Sequence, residues 1–185
     1  MSAQTWQETM VWAIADGTAL TASTTRTSII PAAAKWTAPA NFFNFVGKTI
    51  RVTAKGRMSN VVTTPGTLTL DIGIGATNLF TSGAISLNTT AKTNVTFWFE
   101  AELVLRTLGN GTASNFMGIA QMSSESMLGT AANTYATTYN LPTTSPVVGG
   151  NFDAGTANVW DLFATWSLNN ANSIQVHTFK IESMN

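Results

Sequence analysis

The stretch from Thr93 to Leu108, TNVTFWFEAELVLRTL, alternates without a break. Phe97, Phe99, Ala101, Leu103 and Leu105 fall on one parity, and Trp98, Glu100, Glu102, Val104 and Arg106 fall on the other. A period of two is that of a half-buried antiparallel strand, so the run predicts one long strand with both carboxylates and the arginine on its outward face. Fully extended it would span roughly 50 Å at about 3.3 Å per residue, well beyond the common strand of about six residues. The same alternation recurs in Thr67 to Ile74, where Leu68, Leu70, Ile72 and Ile74 oppose Thr69, Asp71 and Gly73. In Lys48 to Ser59, Ile50, Val52 and Ala54 oppose Thr49, Arg51, Thr53 and Lys55; in Asn158 to Leu168, Trp160, Leu162, Ala164 and Trp166 oppose Asp161 and Thr165. Further strands are predicted for Thr9 to Ala15, with Met10, Trp12 and Ile14 on one face, and for Thr27 to Ile30, Leu79 to Ser82, Asn115 to Ser123 and Ser173 to Ser183.

Turn chemistry separates these runs: Pro65-Gly66, Gly109-Asn110-Gly111 and the asparagine-rich Asn169 to Asn172. Helical periodicity is absent nearly everywhere, and the alanine-rich patch Pro31 to Lys35 is short and opens with proline. Ser124 to Gly155, with Pro142, Pro146 and Gly149-Gly150, reads as a long loop carrying one edge strand; such loops are usually functional or interfacial. The count is eight to nine strands in an all-β chain. It predicts a two-sheet antiparallel sandwich of jelly-roll type, with an open immunoglobulin-like sandwich or a closed barrel as alternatives.

Composition narrows what such a sandwich can do. The 185 residues contain no cysteine, which excludes disulfides, thiolate metal sites and thiol nucleophiles. Nine basic and nine acidic residues make up only 10% of the chain, against about a quarter in an ordinary domain. There is no positive field for nucleic acid. A threonine-rich exterior suits a pleated surface in any case, and it also suits a surface covered in an assembly, where charges would be costly to desolvate. No run approaches the ~20 apolar residues of a membrane span, and the first residues lack a signal-peptide pattern, so an intracellular chain with no membrane partner is expected. The sequons at Asn88, Asn94 and Asn110 are of the kind a chain rich in Asn and Thr produces by chance, and no glycosylation is assigned.

Candidate chemistry is sparse. His177 is the one histidine, no G-x-S-x-G elbow is present, and a zinc site would need several His or Cys ligands. Glu100 and Glu102, about 7 Å apart on one strand face, fall in the range of glycosidase carboxylates, but on a long polar strand face they read as solvated residues or as cross-strand partners of Arg51 or Lys55. Gly73 and Gly75 in DIGIGAT lack the third glycine and following helix of a phosphate cradle, and read as a bulge or strand end. No catalytic, cofactor-binding or metal-binding residue is assigned, and the chain is expected not to be an enzyme. Six tryptophans remain. Trp160 and Trp166 belong to a core face, whereas Trp6, Trp12, Trp36 and Trp98 are the candidate interface residues.

The segments TSIIPAAAKWTAPANFF, TIRVTAKGRMSNVVTTPGTLTLDIGIG, SGAISLNTTAKTNV, NFMGIAQ and NFDAGTANVWDLFATWSLNNANSIQVHTFKIESMN resemble a widespread group of tailed-bacteriophage structural proteins, over Thr24 to Asn185. The resemblance implies a jelly-roll or tumour-necrosis-factor-like sandwich that forms homotrimers on the capsid surface as a decoration or cement protein bound to the major capsid protein. It implies synthesis in the host cytoplasm and residence in the virion. Neither a heptad shaft nor a collagen-like repeat is present, which favours a compact unit over a fibre. Residues 1–23 are then an N-terminal arm or first strand that contacts the capsid or a neighbouring subunit, and 24–185 form the sandwich. The alternative is a receptor- or carbohydrate-binding domain of a tail or head fibre, using Trp98 and the Ser124 to Gly155 loop.

Overall fold

The long alternating run forms a strand of 16 residues, Lys92–Thr107, in which Phe97, Phe99, Ala101, Leu103 and Leu105 are buried. In the computed structural model, residues 6–128 and 137–184 are described; the first five residues of the expected arm and the middle of the long loop, 129–136, lie outside them. The strands in chain order are β1 (Glu8–Trp12), β2 (Leu20–Thr21), β3 (Thr27–Ser28), β4 (Trp36–Ala38), β5 (Thr49–Asn60), β6 (Thr67–Ile74), β7 (Thr77–Thr81), β8 (Ile85–Ser86), β9 (Lys92–Thr107), β10 (Asn115–Ser124), β11 (Thr137–Leu141), β12 (Asn158–Trp166) and β13 (Ser173–Ser183). The alanine patch makes one 3₁₀ turn, Ala32–Ala34.

These strands form two antiparallel sheets. The first runs β1-β13-β5-β9-β10-β11, with β2 beside β13; the second runs β3-β12-β6-β7, with β4 beside β12 and β8 beside β6. If β3 and β4 are taken as one, the principal strands β1, β3/β4, β5, β6, β7, β9, β12 and β13 lie in the order 1-8-3-6 in one sheet and 2-7-4-5 in the other. That is the double Greek key of a jelly roll, and β10 and β11 widen its first sheet. There are thirteen strands among the described residues rather than eight or nine. The surplus is chiefly two- and three-residue pieces too short to carry a period.

Alternation fixes which side of each strand faces the other sheet. An aromatic cluster closes one end: Trp160 of β12 lies 5.5 Å from Phe116 of β10, and Phe43 and Phe152, from two loops, lie 5.2 and 5.2 Å from Phe116. Trp36 joins it, 5.7 Å from Trp160. Nearer the middle, Phe80 of β7 meets Phe99 of β9 at 6.3 Å. At the opposite end the turn before β13 works as a clamp. Asn172 is fully buried; it accepts from the Val61 amide at 2.9 Å and donates to the Pro65 carbonyl at 2.5 Å, tying this turn to the one between β5 and β6. Gly66 follows Pro65 with φ +74°, the left-handed conformation that a Pro-Gly turn requires.

One face assignment is overturned. Met10, Trp12 and Ile14 do not share one face: Met10 packs against the core with Val11, whereas Trp12 and Ile14 stand 57% and 91% exposed and Ala13 is buried. The pairing of β1 with β13 shifts register between Thr9 and Val11, and an irregularity of one residue turns every following side chain to the other face.

Two substitutions test this architecture by urea unfolding. Phe116→Ala is expected to cost about 3–5 kcal/mol through cavity formation. Asn172→Ala strands a buried donor and acceptor and is expected to cost about 2–4 kcal/mol.

Candidate functional site

Outward parity on the first sheet gathers most of the protein's exposed chemistry on one face. Register places Lys180, Thr53, Glu100, Gln121 and Asn140 in one row, with Trp12 at its end; Thr178, Lys55, Trp98, Ser123 and Thr138 form the next; Glu182, Arg51, Glu102 and Ile119 form the row on the other side. Arg51 bridges the two strand carboxylates, 2.5 Å from Glu102 and 3.8 Å from Glu100. Its hydrogen bond to Glu102 holds the guanidinium above its ordinary pKa, with burial opposing. The expected cross-strand pairing is therefore made by Arg51. Glu100 and Glu102 share one cation on an open sheet face, with no cleft between them to seat a glycosidic bond. At the far side Glu182, nearly buried, accepts from Lys180 at 2.8 Å and from Gln7 at 2.6 Å.

Lys55 takes a different partner. Its ammonium lies 4.1 Å from the centroid of the Trp98 ring. Trp98 is half exposed, at 50%. Since β5 and β10 flank β9 on opposite sides, Lys55 holds the indole from one side and the strands β10 and β11 lie on the other. There the ring borders a shallow cleft of about 190 Å³ lined by Glu100, Gln121, Ser123 and Thr138. Gln121 donates to Asn140 at 3.0 Å, which fixes both amides at the rim. A second depression, lined by Thr96, Ser123 and Glu125, adjoins the same indole.

The four candidate tryptophans separate. Trp6, 78% exposed, precedes one end of β1, and Trp12 lies at its other end near Ile14; Trp98 stands alone among polar side chains two strands further in than β13. Trp36 faces no partner: it is buried at 6%, 4.9 Å from Phe42 and 6.3 Å from Phe43. The correction has a physical cause, because Trp36 pairs with Trp160 across β4 and β12 and so points into the aromatic end of the core. His177, isolated in the sequence, sits at the register shift between Val176 and Thr178 and meets Asp16 at 2.9 Å. The register shift between Ile72 and Gly73 fits the reading of a bulge there.

A charged group on the outer face of the second sheet was missed. Asp71 and Asp161 are buried at 4% and 5%. Lys35 lies 2.6 Å from Asp161, and Ser28 donates to the same carboxylate at 2.8 Å. Arg26 lies 3.4 Å from Asp71, with its guanidinium 3.4 Å above the Phe163 ring. Gly73 makes room for it, since a Cβ there would meet the guanidinium at 2.5 Å. A signal was present: Asp71 and Asp161 are the single charges of β6 and β12. Among the described residues no group of three or more His, Cys, Asp or Glu is placed to hold a metal, and no helix is long and apolar enough to cross a membrane.

No protein-family model matches this chain, and no curated protein matches it. Its fold is similar to a solved structure, the CBM2 module of the evolved Dit of Lactobacillus casei BL23 phage J-1, with a TM-score of 0.35 and 9% sequence identity over 99% of this chain and 98% of that one. The likeness is distant.

The two charged faces should differ in energetic weight. A double-mutant cycle on Arg51 and Glu102, both solvent-facing, is expected to give a coupling below about 1 kcal/mol in thermal or urea unfolding. Asp161→Ala, which removes the carboxylate beneath Lys35, is expected to cost about 1–3 kcal/mol, Lys35 itself being a third exposed.

Proposed function

We propose that this chain is a non-enzymatic structural protein of a tailed-bacteriophage particle, a homotrimeric decoration or cement protein seated on the capsid surface against the major capsid protein. Three features support the reading: the resemblance of the segments between Thr24 and Asn185 to phage structural proteins, the jelly-roll order of the strands, and the low charge of the chain. The observation that carries it is the β1 edge. Among the described residues β1 pairs with β13 alone, so its other side offers backbone donors and acceptors to a neighbour. Edges of independent domains are ordinarily guarded by lysine, proline or a covering loop. Here Trp6, Trp12 and Ile14 stand exposed beside the edge instead. Exposed aromatic and aliphatic side chains are what subunit interfaces bury in their centres.

A cement protein needs no reaction. Any partner that binds the assembled shell and not its separated parts stabilises the shell by mass action. Jelly-roll rigidity suits this role, since a sandwich with a packed aromatic core transmits load without yielding.

Light scattering is expected to give a mass near three times 19.6 kDa, and Trp12→Asp with Ile14→Asp should shift it to one chain while circular dichroism stays unchanged. Added to capsids stripped of decoration, the wild-type protein should raise the temperature at which shells break. A wild-type monomer at micromolar concentration, or an unchanged breaking temperature, overturns the reading.

A further inference from the structure

We infer that the outer face of the first sheet holds a saccharide site, in which one neutral pyranose ring lies against the Trp98 indole and is hydrogen-bonded by Glu100, Gln121, Ser123 and Thr138. The inference concerns a different part of the surface from the β1 edge and does not depend on the assembly proposed above.

Three observations carry it. The first is the kind of surface around Trp98. A protein-binding centre is apolar and poor in charge, but the outward neighbours of Trp98 are Thr96, Glu100, Lys55 and Ser123, and on this face the exposed Ile119 lies two rows away. A lone flat apolar ring inside a polar surround matches a sugar, whose C–H face is apolar and whose rim is hydroxylated.

The second is the size of the cleft. At about 190 Å³ it is below the roughly 300 Å³ at which drug-sized sites begin, and it accommodates a single ring. The adjoining depression on the same side of the indole gives a chain of sugars somewhere to continue.

The third is how the groups are held. Lys55 fixes the indole from the β5 side, so the ring is positioned before any ligand arrives. The Gln121 to Asn140 bond uses one amide hydrogen of Gln121 and the carbonyl of Asn140. It leaves the Gln121 carbonyl to accept and the Asn140 amino group to donate. Ser123, Thr138 and Glu100 add hydroxyl and carboxylate groups at strand spacing, about 4.8 Å apart across the sheet. The Glu100 carboxylate in the wall disfavours an acidic sugar, which makes the expected ligand neutral.

One shallow ring site binds weakly, with a Kd on the order of 1 mM, so a polymer with many copies of the ring is the suitable probe. Native electrophoresis of the full chain through gels containing dextran, mannan or hydroxyethyl cellulose should retard the wild-type protein in at least one of them, in low salt and in 0.5 M NaCl alike. Trp98→Ala should abolish the retardation, and Gln121→Ala should weaken it about tenfold; Gln121 is exposed, so that variant keeps the test valid if the tryptophan variant does not fold. Trp12→Asp should leave retardation intact, which separates this site from the assembly surface. Migration unchanged in all three gels, retardation that survives both site variants, or retardation lost in salt overturns the inference.

Discussion

The contact between Trp160 and Phe116 is the constraint on which the remaining geometry depends. Trp160 belongs to the second sheet and Phe116 to the first, and both are fully buried. Phe43 and Phe152 come from loops and pack against this pair, so the same cluster that joins the sheets also fixes two of the longest connections. With Phe116 held, β10 cannot slide along β9 without turning a core side chain outward. The register of the hairpin then sets which residues share a row on the outer face. Lys55, Trp98 and Ser123 are neighbours because Phe97, Phe99 and Met122 on the other parity are packed inside.

The two outer faces handle charge in opposite ways. On the second sheet, the segments before β3 and β4 run beside the β12 edge, and the Arg26 and Lys35 side chains reach over the sheet to Asp71 and Asp161. Carboxylates nearly out of water must be paired, and the pairing closes this face. On the first sheet, Arg51, Glu100 and Glu102 stay in solvent, where ion pairs are screened and contribute little. That face remains open to a ligand. The difference arises from connectivity: the long segment between β1 and β5 supplies β3 and β4 to the edge of the second sheet and brings Arg26 and Lys35 with them.

This division explains what could be read from the sequence. Long strands with a buried parity were legible, β6 and β13 to the residue and β9 within one, because a core on one side writes a period of two into the chain. Trp98 was legible as outward-facing for the same reason. The parting of Met10 from Trp12 and Ile14 was not, since the bulge after Thr9 reverses parity and leaves no mark in hydropathy. Trp36 was illegible because a three-residue strand has no period, and its burial is decided by Phe42, Phe43 and Trp160, which lie elsewhere in the chain. The Asn169 to Asn172 segment read correctly as a turn, but its role as a clamp on Val61 and Pro65 is a tertiary property.

Assembly and ligand binding on one sheet are compatible if their contacts point in different directions, as the two proposed surfaces do. β1 and β9 are separated by β13 and β5, so their axes lie about 14 Å apart at about 4.8 Å per strand. A neighbour that extends the β1 edge approaches in the plane of the sheet, drawing on edge backbone groups and on the side chains beside them. A ring stacked on Trp98 approaches along the sheet normal. Between the two lie Lys180 and Arg51, a charged strip that a dry interface would have to desolvate. That cost confines an apolar contact to the edge. The apolar contact proposed at β1 therefore stops short of Trp98, and the middle of the face suits a partner that tolerates polar groups.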